Sequence, residues 1–179
     1  YDGFRVFDFD NNGYADLDDI IEALEVFQIH PTREEARLFM TRFDLNKNNR
    51  LNYSEIAECF LPLTDSSEGI LRKRSAEFPT GYYKRSDEFS ASTVQALGKV
   101  LKLHIDVELN AEGLRQKHEE SPYFRYDDAF TTLNKWGDDY LTTEDFSEIF
   151  KKYGFYATKS ELEMLIGRFD KNKDGKVSY

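Results

Sequence analysis

The sequence is poor in cysteine, methionine and long apolar runs. Its 179 residues contain one cysteine, Cys59, and two methionines, Met40 and Met164. A single cysteine cannot form an intrachain disulfide, which favours a reducing compartment. No apolar run approaches the roughly 18 residues of a membrane-spanning helix, and no charged-then-apolar leader opens the chain. We therefore expect a cytoplasmic protein without a membrane segment.

Basic residues are also in deficit. The chain has 24 Lys and Arg against 34 Asp and Glu, a formal net charge of −10 at pH 7. Such an acidic surface repels phosphate backbones and anionic lipids, so neither nucleic-acid nor membrane binding is expected. Hydrophobic residues make up 40% and aromatic residues 15% of the chain, which is enough to form a core. The composition favours a folded protein that binds cations or other proteins.

The acidic residues are concentrated in a twelve-residue stretch with oxygen-bearing residues at alternating places. A glycine stands at place 6, where a sharp turn needs a positive φ, and place 7 offers its backbone carbonyl. The ligand places 1, 3, 5, 7, 9 and 12 are Asp8, Asp10, Asn12, Tyr14, Asp16 and Asp19. Oxygen ligands alone suit a hard divalent cation. The stretch resembles the calcium loop of the EF-hand family, which implies that these residues bind Ca²⁺.

Two further stretches have the same pattern. The second has Asn49 in the glycine place, and Asn tolerates the left-handed conformation best among non-glycine residues. Its ligand places are Asp44, Asn46, Asn48, Arg50, Asn52 and Glu55. The last stretch has ligand places at Asp170, Asn172, Asp174, Lys176 and Ser178. The chain stops at Tyr179 inside this loop and does not begin with methionine, so we expect a fragment of a longer protein.

A fourth stretch, from Asn134 to Asp145, is degenerate. Trp136 stands where place 3 needs an oxygen ligand, and Gly137 comes two places too early for the turn. Too few ligands remain for an ion, so this loop is predicted not to bind calcium.

The spacing of the stretches indicates a duplication. Each pair has an internal separation of 36 residues (8 to 44, and 134 to 170), and the pairs are offset by 126. The spacing and the resemblance together predict an all-α fold with short β-bridges between paired loops, in which a long, partly helical insert joins two EF-hand pairs. The predicted domains are a first pair at 1–62 with a truncated first helix, an insert at 63–122, and a second pair at 123–179 truncated in its last loop.

Helix signals support this organisation. Thr32 with Glu35, and Thr158 with Glu161, are typical capping boxes at helix starts. In the insert, the segment from Pro62 to about Ser90 is predicted to be an extended or loosely ordered strap. From about Ser92, an apolar residue recurs at helical spacing, which predicts one long amphipathic helix or two helices broken near Asn110. The apolar residues are Val94, Leu97, Leu101, Ile105, Leu109 and Leu114.

The sites differ in expected strength. Asp19 replaces the bidentate Glu usual at place 12 of the family, so weaker calcium binding or more tolerance of Mg²⁺ is expected at the first loop. In the second loop only Asp44 and Glu55 bring negative charge, and Lys47 and Arg50 oppose the ion. Affinity there is expected to be micromolar or weaker.

A wider resemblance covers most of the chain. The insert phrase from Ile105 through Glu108 to Gln116, and the segments 128–130, 154–158 and 168–170, resemble long tandem EF-hand proteins of motile-ciliated protists. Some of those proteins are calcium-binding components of the ciliary axoneme, fixed to doublet microtubules. The resemblance implies a cytoskeletal location and protein partners such as tubulin or other axonemal proteins.

Three functional classes remain open at this point. They are a structural calcium-binding component of a larger assembly, a calcium switch that opens to bind a partner helix, and the regulatory part of an enzyme whose catalytic domain lies elsewhere. The sequence contains no nucleophile and base pairing and no phosphate-binding glycine loop, so no enzymatic activity is expected. Promiscuous sensors use methionine-rich grooves, and this chain has two methionines. The structural component is therefore ranked first.

Overall fold

The computed structural model describes residues 3–62, 65–72 and 89–179. These residues form eight α-helices and four two-residue strands, after an initial 3₁₀ turn at Phe4–Val6. The helices are α1 (Leu17–Val26), α2 (Arg33–Phe43), α3 (Tyr53–Glu58), α4 (Asp65–Arg72), α5 (Ala91–Glu119), α6 (Tyr126–Leu133), α7 (Thr143–Lys152) and α8 (Lys159–Phe169). The strands are β1 (Tyr14–Ala15), β2 (Leu51–Asn52), β3 (Tyr140–Leu141) and β4 (Val177–Ser178). The predicted all-α fold with short bridges is confirmed.

The chain divides into two compact units, Tyr1–Gln116 and Lys117–Tyr179. The predicted domain limits at 62 and 122 were drawn on sequence grounds and stay predictions. Each unit is described by itself below.

In the first unit, hydrogen bonds at helix starts set where the helices begin. Asp16 caps α1 and Thr32 caps α2, in each case through a reciprocal capping box with the residue three places on. Strands β1 and β2 pair antiparallel, with Ala15 opposite Leu51. Both residues are fully buried, so the bridge joins the two loops at the edge of the core.

Helix α5 completes the core of the first unit. Leu101 and Ile105 are buried in the same cluster as Phe27, Phe39 and Phe43 of the EF-hand pair. A side chain in place of Gly98 would put a Cβ 3.3 Å from the carbonyl oxygen of Phe27, so the helix backbone lies very close to the end of α1. The predicted amphipathic helix is therefore an integral part of the first unit.

The insert differs from the sequence expectation in one respect. The segment predicted as an extended or loosely ordered strap contains a helix, α4, and residues 63–64 and 73–88 of that segment lie outside the described residues. Helix α5 runs without a break through Asn110, so the insert has the single long helix of the two arrangements expected. The side-chain amide of Asn110 donates to the carbonyl of Asp106 within this helix.

The second unit repeats the hand arrangement with α6, α7 and α8. Strands β3 and β4 pair antiparallel, with Leu141 opposite Val177. Leu141, Leu162 and Ile166 are its buried apolar residues in the part of the chain that the structure describes. Many of its aromatic side chains are exposed. Across both units, none of the described helices combines the length and apolarity needed to span a bilayer.

Candidate metal centres

The first loop is folded around the carboxylate of Asp8. Its Oδ1 accepts a hydrogen bond from the backbone N–H of Asn12 (2.9 Å), and its Oδ2 accepts one from Gly13 (3.1 Å). Asn12 in turn accepts from the backbone N–H of Tyr14 (2.9 Å) and donates to Asp10 (2.8 Å). Gly13 has a φ of 88°, as the sequence predicts for place 6. These bonds bring the side chains of places 1, 3 and 5 together on the inside of one turn.

The second and last loops repeat this hydrogen-bond pattern. Asp44 accepts from Asn48 (3.1 Å) and Asn49 (2.8 Å), and Asp170 accepts from Asp174 (3.2 Å) and Gly175 (2.6 Å). Asn49 has a φ of 59°, so Asn performs the turn that glycine performs elsewhere. Three loops with different side chains therefore share one backbone geometry.

The residue at place 12 accepts a hydrogen bond from the backbone N–H of place 9 in both of the first two loops. Glu55 is buried, and its carboxylate accepts from the backbone N–H of Leu45 (3.1 Å), the amide of Asn46 (3.0 Å) and the backbone N–H of Asn52 (2.9 Å). It therefore spans the second loop from place 2 to place 9. Asp19 accepts from the backbone N–H of Asp16 (3.1 Å) and completes the capping box of α1.

Places 7 of the second and last loops and place 9 of the last loop are further predicted ligand places. Places 7 offer backbone carbonyls, and the side chains of Arg50 and Lys176 are exposed. The ammonium group of Lys176 lies 3.7 Å from the centre of the Tyr140 ring, and this cation–π contact stabilises its positive charge. Ser178, at place 9 of the last loop, lies in β4 opposite Tyr140.

The loop at 134–145 is closed by its own hydrogen bonds. Asn134 accepts from Gly137 (2.9 Å) and Asp138 (3.1 Å), and its amide donates to the carbonyl of Asp138. Asp145 is buried and accepts from the backbone N–H groups of Lys135 (3.2 Å) and Thr142 (2.9 Å), as Glu55 does at the same places. That this loop does not bind calcium stays a prediction.

The oxygen donors fit calcium, but they do not form a purely acidic cluster. Within the described ranges, no three His, Cys, Asp or Glu side chains converge as a ready metal site. The loops offer carboxylate, amide and backbone carbonyl oxygens, which are the ligand types that Ca²⁺ takes. An ion in these loops would therefore depend on Asn and carbonyl ligands as much as on Asp.

Two residues of α5 that sequence reasoning missed connect it to the second hand. Nε2 of His104 donates to the carbonyl of Cys59 (3.0 Å), and the His104 ring lies edge-on to Phe43 at 5.1 Å. Buried Glu108 lies 3.7 Å from Arg42 and 3.6 Å from Arg115. Burial lowers the pKa of Arg42 and raises the pKa of the Cys59 thiol. The signal was their spacing, because 101, 104, 105 and 108 share one helix face.

Comparisons with known proteins agree with this geometry. The family model for an EF-hand domain pair matches residues 1–61 and 126–179, which are the two pairs of loops. The chain is 22% identical over 172 residues to the "EF-hand calcium-binding domain-containing protein 6" of Mus musculus, covering 96% of this chain and 10% of that protein. The human protein of that name is 20% identical over 168 residues, covering 93% and 10%.

A third relative is the "Calcium-binding protein LPS1-alpha" of Lytechinus pictus, 25% identical over 178 residues, covering 96% of this chain and 51% of that protein. The chain thus spans about a tenth of the mouse and human relatives and about half of the third. The loop geometry agrees with the family model, which matches the chain at both pairs of loops. The chain therefore belongs to the EF-hand domain pair family and is a calcium-binding EF-hand protein.

Proposed function

We propose that this chain is a structural calcium-binding module with a fixed place in a larger protein assembly. It is not a freely diffusing sensor, and its role is binding without catalysis. The observation that carries the proposal is the position of α5, which covers the apolar face of the first EF-hand pair with Leu101 and Ile105. A sensor exposes this face to partners when calcium binds.

The contacts of α5 restrain the second hand on both sides of its loop. Glu108 lies against Arg42, near the end of α2, and His104 bonds to the carbonyl of Cys59, directly after α3. A sensor hand opens by changing the angle between its two helices. Because α5 contacts both sides, a change in that angle would break these contacts and expose Leu101 and Ile105. The ions in the first pair therefore stabilise the loops instead of opening the pair.

The proposed assembly is cytoskeletal, with the doublet microtubules of the ciliary axoneme as the leading case. Support comes from the resemblance of the segment from Ile105 to Gln116 to tandem EF-hand proteins of motile-ciliated protists. The implied partners are tubulin or other axonemal proteins, and the implied location is the cytoplasm. Bound Ca²⁺ would bring two positive charges per ion to an acidic chain, which reduces repulsion from an acidic partner surface.

Hydrophobic-dye fluorescence tests the closed first pair. We expect the dye signal of the whole chain to change little when calcium is added. The variant Ile105→Asp places a charge in the core and should displace α5, which raises the signal and shows that the dye can detect an opened pair. A large calcium-dependent rise in the unmutated chain would contradict the structural role.

Co-sedimentation with polymerised microtubules tests the assembly. The chain should pellet with microtubules at physiological ionic strength with saturable binding, and remain in the supernatant without them. A pellet fraction equal to that of an unrelated acidic protein of similar size would contradict the axonemal proposal while leaving calcium binding intact.

A calcium switch in the second pair is the alternative, and one observation favours it. Tyr153, Phe155, Met164 and Phe169 are exposed in the second unit. Trp136, the single tryptophan, lies in that unit, so its emission reports on the second pair. A calcium-dependent blue shift of Trp136 emission in the presence of an amphipathic helical peptide would support the switch. Unchanged emission would contradict a switch in the second pair and would leave the structural role as the proposal.

A further inference from the structure

Helix α5 has a second apolar stripe that faces away from the first EF-hand pair. Its buried face carries Leu101, Ile105 and Glu108. The second stripe consists of Val100, Leu103, Val107 and Leu114, all of them exposed, with Leu103 at 64% and Leu114 at 60%. At about 100° per residue these four side chains lie within about 60° of one another, well over a quarter turn from the centre of the buried face.

The spacing of this stripe is that of a coiled-coil seam. Positions 100, 103, 107, 110 and 114 alternate steps of three and four, which is the heptad pattern of a and d places. A face built for a globular core is wider than this. Val100 and Val107 occupy a places, and Leu103 occupies a d place, a combination that favours two parallel strands.

From this pattern we propose that α5 pairs in parallel with α5 of a second copy of the chain, through the seam of Val100, Leu103, Val107, Asn110 and Leu114. The proposal is independent of the proposed structural role, because it concerns the opposite face of the helix from the one that closes the first pair.

Asn110 favours pairing with an identical helix in the parallel direction. In a parallel pair of identical helices, Asn110 meets Asn110 of the partner, and two amides can bond to each other as donor and acceptor. In an antiparallel pair Asn110 would face the apolar Val107, so its amide would find no hydrogen-bond partner on the other helix. The amide already donates to the carbonyl of Asp106 at 2.7 Å, and its oxygen is a further acceptor.

The charges beside the seam also permit self-pairing. In a parallel pair, Lys99 of one helix lies beside position 104 of the other, where the His104 ring is turned toward Phe43 and Cys59, and Asp106 faces Ala111. Neither position sets two carboxylates against each other, despite the net charge of −10.

The seam is short, and the docking of α5 compensates for this. About two heptads are fewer than the three or four that define a free coiled coil. An isolated helix of this kind must also fold when it pairs, which opposes association. Here α5 is already held in its helical form by Leu101 and Ile105 on its other face. We therefore expect a weak but specific dimer, populated at high protein concentration.

Cysteine trapping on the complete chain tests the arrangement. Leu103→Cys places a thiol in the seam, and Leu109→Cys places one at an exposed position of the same helix outside it. Cys59 is buried and common to both variants. In a parallel pair the two thiols introduced by Leu103→Cys meet within the distance range of a disulfide, so diamide should cross-link Leu103→Cys at least tenfold faster than Leu109→Cys. Equal rates would overturn the proposal.

Sedimentation velocity supplies the second measurement. The apparent mass of the unmutated chain should rise with concentration, and Leu103→Glu should weaken association at least tenfold while Leu109→Glu leaves it unchanged. Both leucines are exposed, so both variants should keep the helical circular dichroism of the unmutated chain. A monomer at all concentrations, as would follow if another part of the same chain covers the seam, would overturn the proposal. Preferential cross-linking of Leu103→Cys with Leu114→Cys would overturn the parallel direction.

Discussion

The twelfth place of each loop shows how one residue determines what a loop does. Glu55 reaches across the second loop to Leu45 and Asn46, and Asp19 accepts from the backbone N–H of Asp16 at the start of α1. Asp145 likewise accepts from the backbone N–H of place 2, Lys135, although its loop begins with Asn134 in place of an aspartate. The same carboxylate position can therefore serve an ion or serve the loop alone.

Lengthening Asp19 should strengthen the first site. In Asp19→Glu the extra methylene lets both carboxylate oxygens reach an ion, so calcium affinity should rise about tenfold and selectivity over magnesium should increase. Titration calorimetry with calcium, with and without magnesium, measures both effects. Asp18→Glu makes the same chemical change one place earlier and should leave the isotherm unaltered. An unaltered isotherm for Asp19→Glu itself would contradict the assignment of place 12.

At this scale the sequence predicts local geometry well and long-range contacts poorly. The turns at Gly13 and Asn49 follow from spacing, because a twelve-residue loop determines its own hydrogen bonds. The contacts of His104 with Cys59 and of Glu108 with Arg42 join residues far apart in the chain. Spacing places His104 and Glu108 on the buried face, but it does not indicate which residues they meet.

At the scale of elements, capping boxes determine where the first helix of the second hand begins in each pair. The backbone N–H and the hydroxyl of Thr32 both donate to Glu35, and the same bonds join Thr158 to Glu161. These bonds stabilise the ionised carboxylate, so they lower the pKa of Glu35 and of Glu161. The start of α2 is therefore sensitive to acid.

The box at α2 predicts a pH-dependent contribution to stability. Because the pKa of Glu35 is lower in the folded state, its contribution is complete above its ordinary value, about 4.3, and is lost as the pH falls through the lowered folded value. The difference in unfolding free energy between the unmutated chain and Glu35→Gln should therefore shrink on acidification, as measured by urea denaturation. Glu34→Gln is the matched control. A difference that does not change with pH would contradict the role of the box.

Shortening a side chain should affect stability differently on the two faces of α5. Leu101 is fully buried, so Leu101→Ala should cost about 2–5 kcal/mol of unfolding free energy. Leu103 is 64% exposed, so Leu103→Ala should change the free energy of unfolding by less than about 0.5 kcal/mol in dilute solution. Urea denaturation of both variants at low protein concentration makes the comparison. Equal costs would show that α5 is not docked as described.

Sequence patterns locate most elements but miss two properties of the insert. The helices around the loops and both β-bridges follow from the repeat. Helix α4 was not predicted, because Ser and Gly in 65–72 are typical of loops. The second stripe of α5 was also missed, since Val100, Leu103 and Val107 are interleaved with the buried residues and only burial separates the two sets.

At the scale of the whole chain, much of the acidity belongs to the metal loops. Eight carboxylates stand at ligand places: Asp8, Asp10, Asp16, Asp19, Asp44, Glu55, Asp170 and Asp174. Bound divalent cations would offset much of the net charge of −10. The charge is therefore a weaker argument against an acidic partner surface than its total suggests, and calcium should raise thermal stability through binding to the folded state.

The central claim is that calcium binds the first pair without releasing α5. Hydrogen exchange of the amides from Leu101 to Glu108, compared between excess calcium and a chelator, tests it most directly. A double variant, Asp8→Ala with Asp44→Ala, provides the reference in which the first pair lacks its place 1 carboxylates. Protection of these amides should be equal or greater with calcium. A loss of protection of tenfold or more on adding calcium, absent from the double variant, would show that the first pair opens and would contradict a closed first pair.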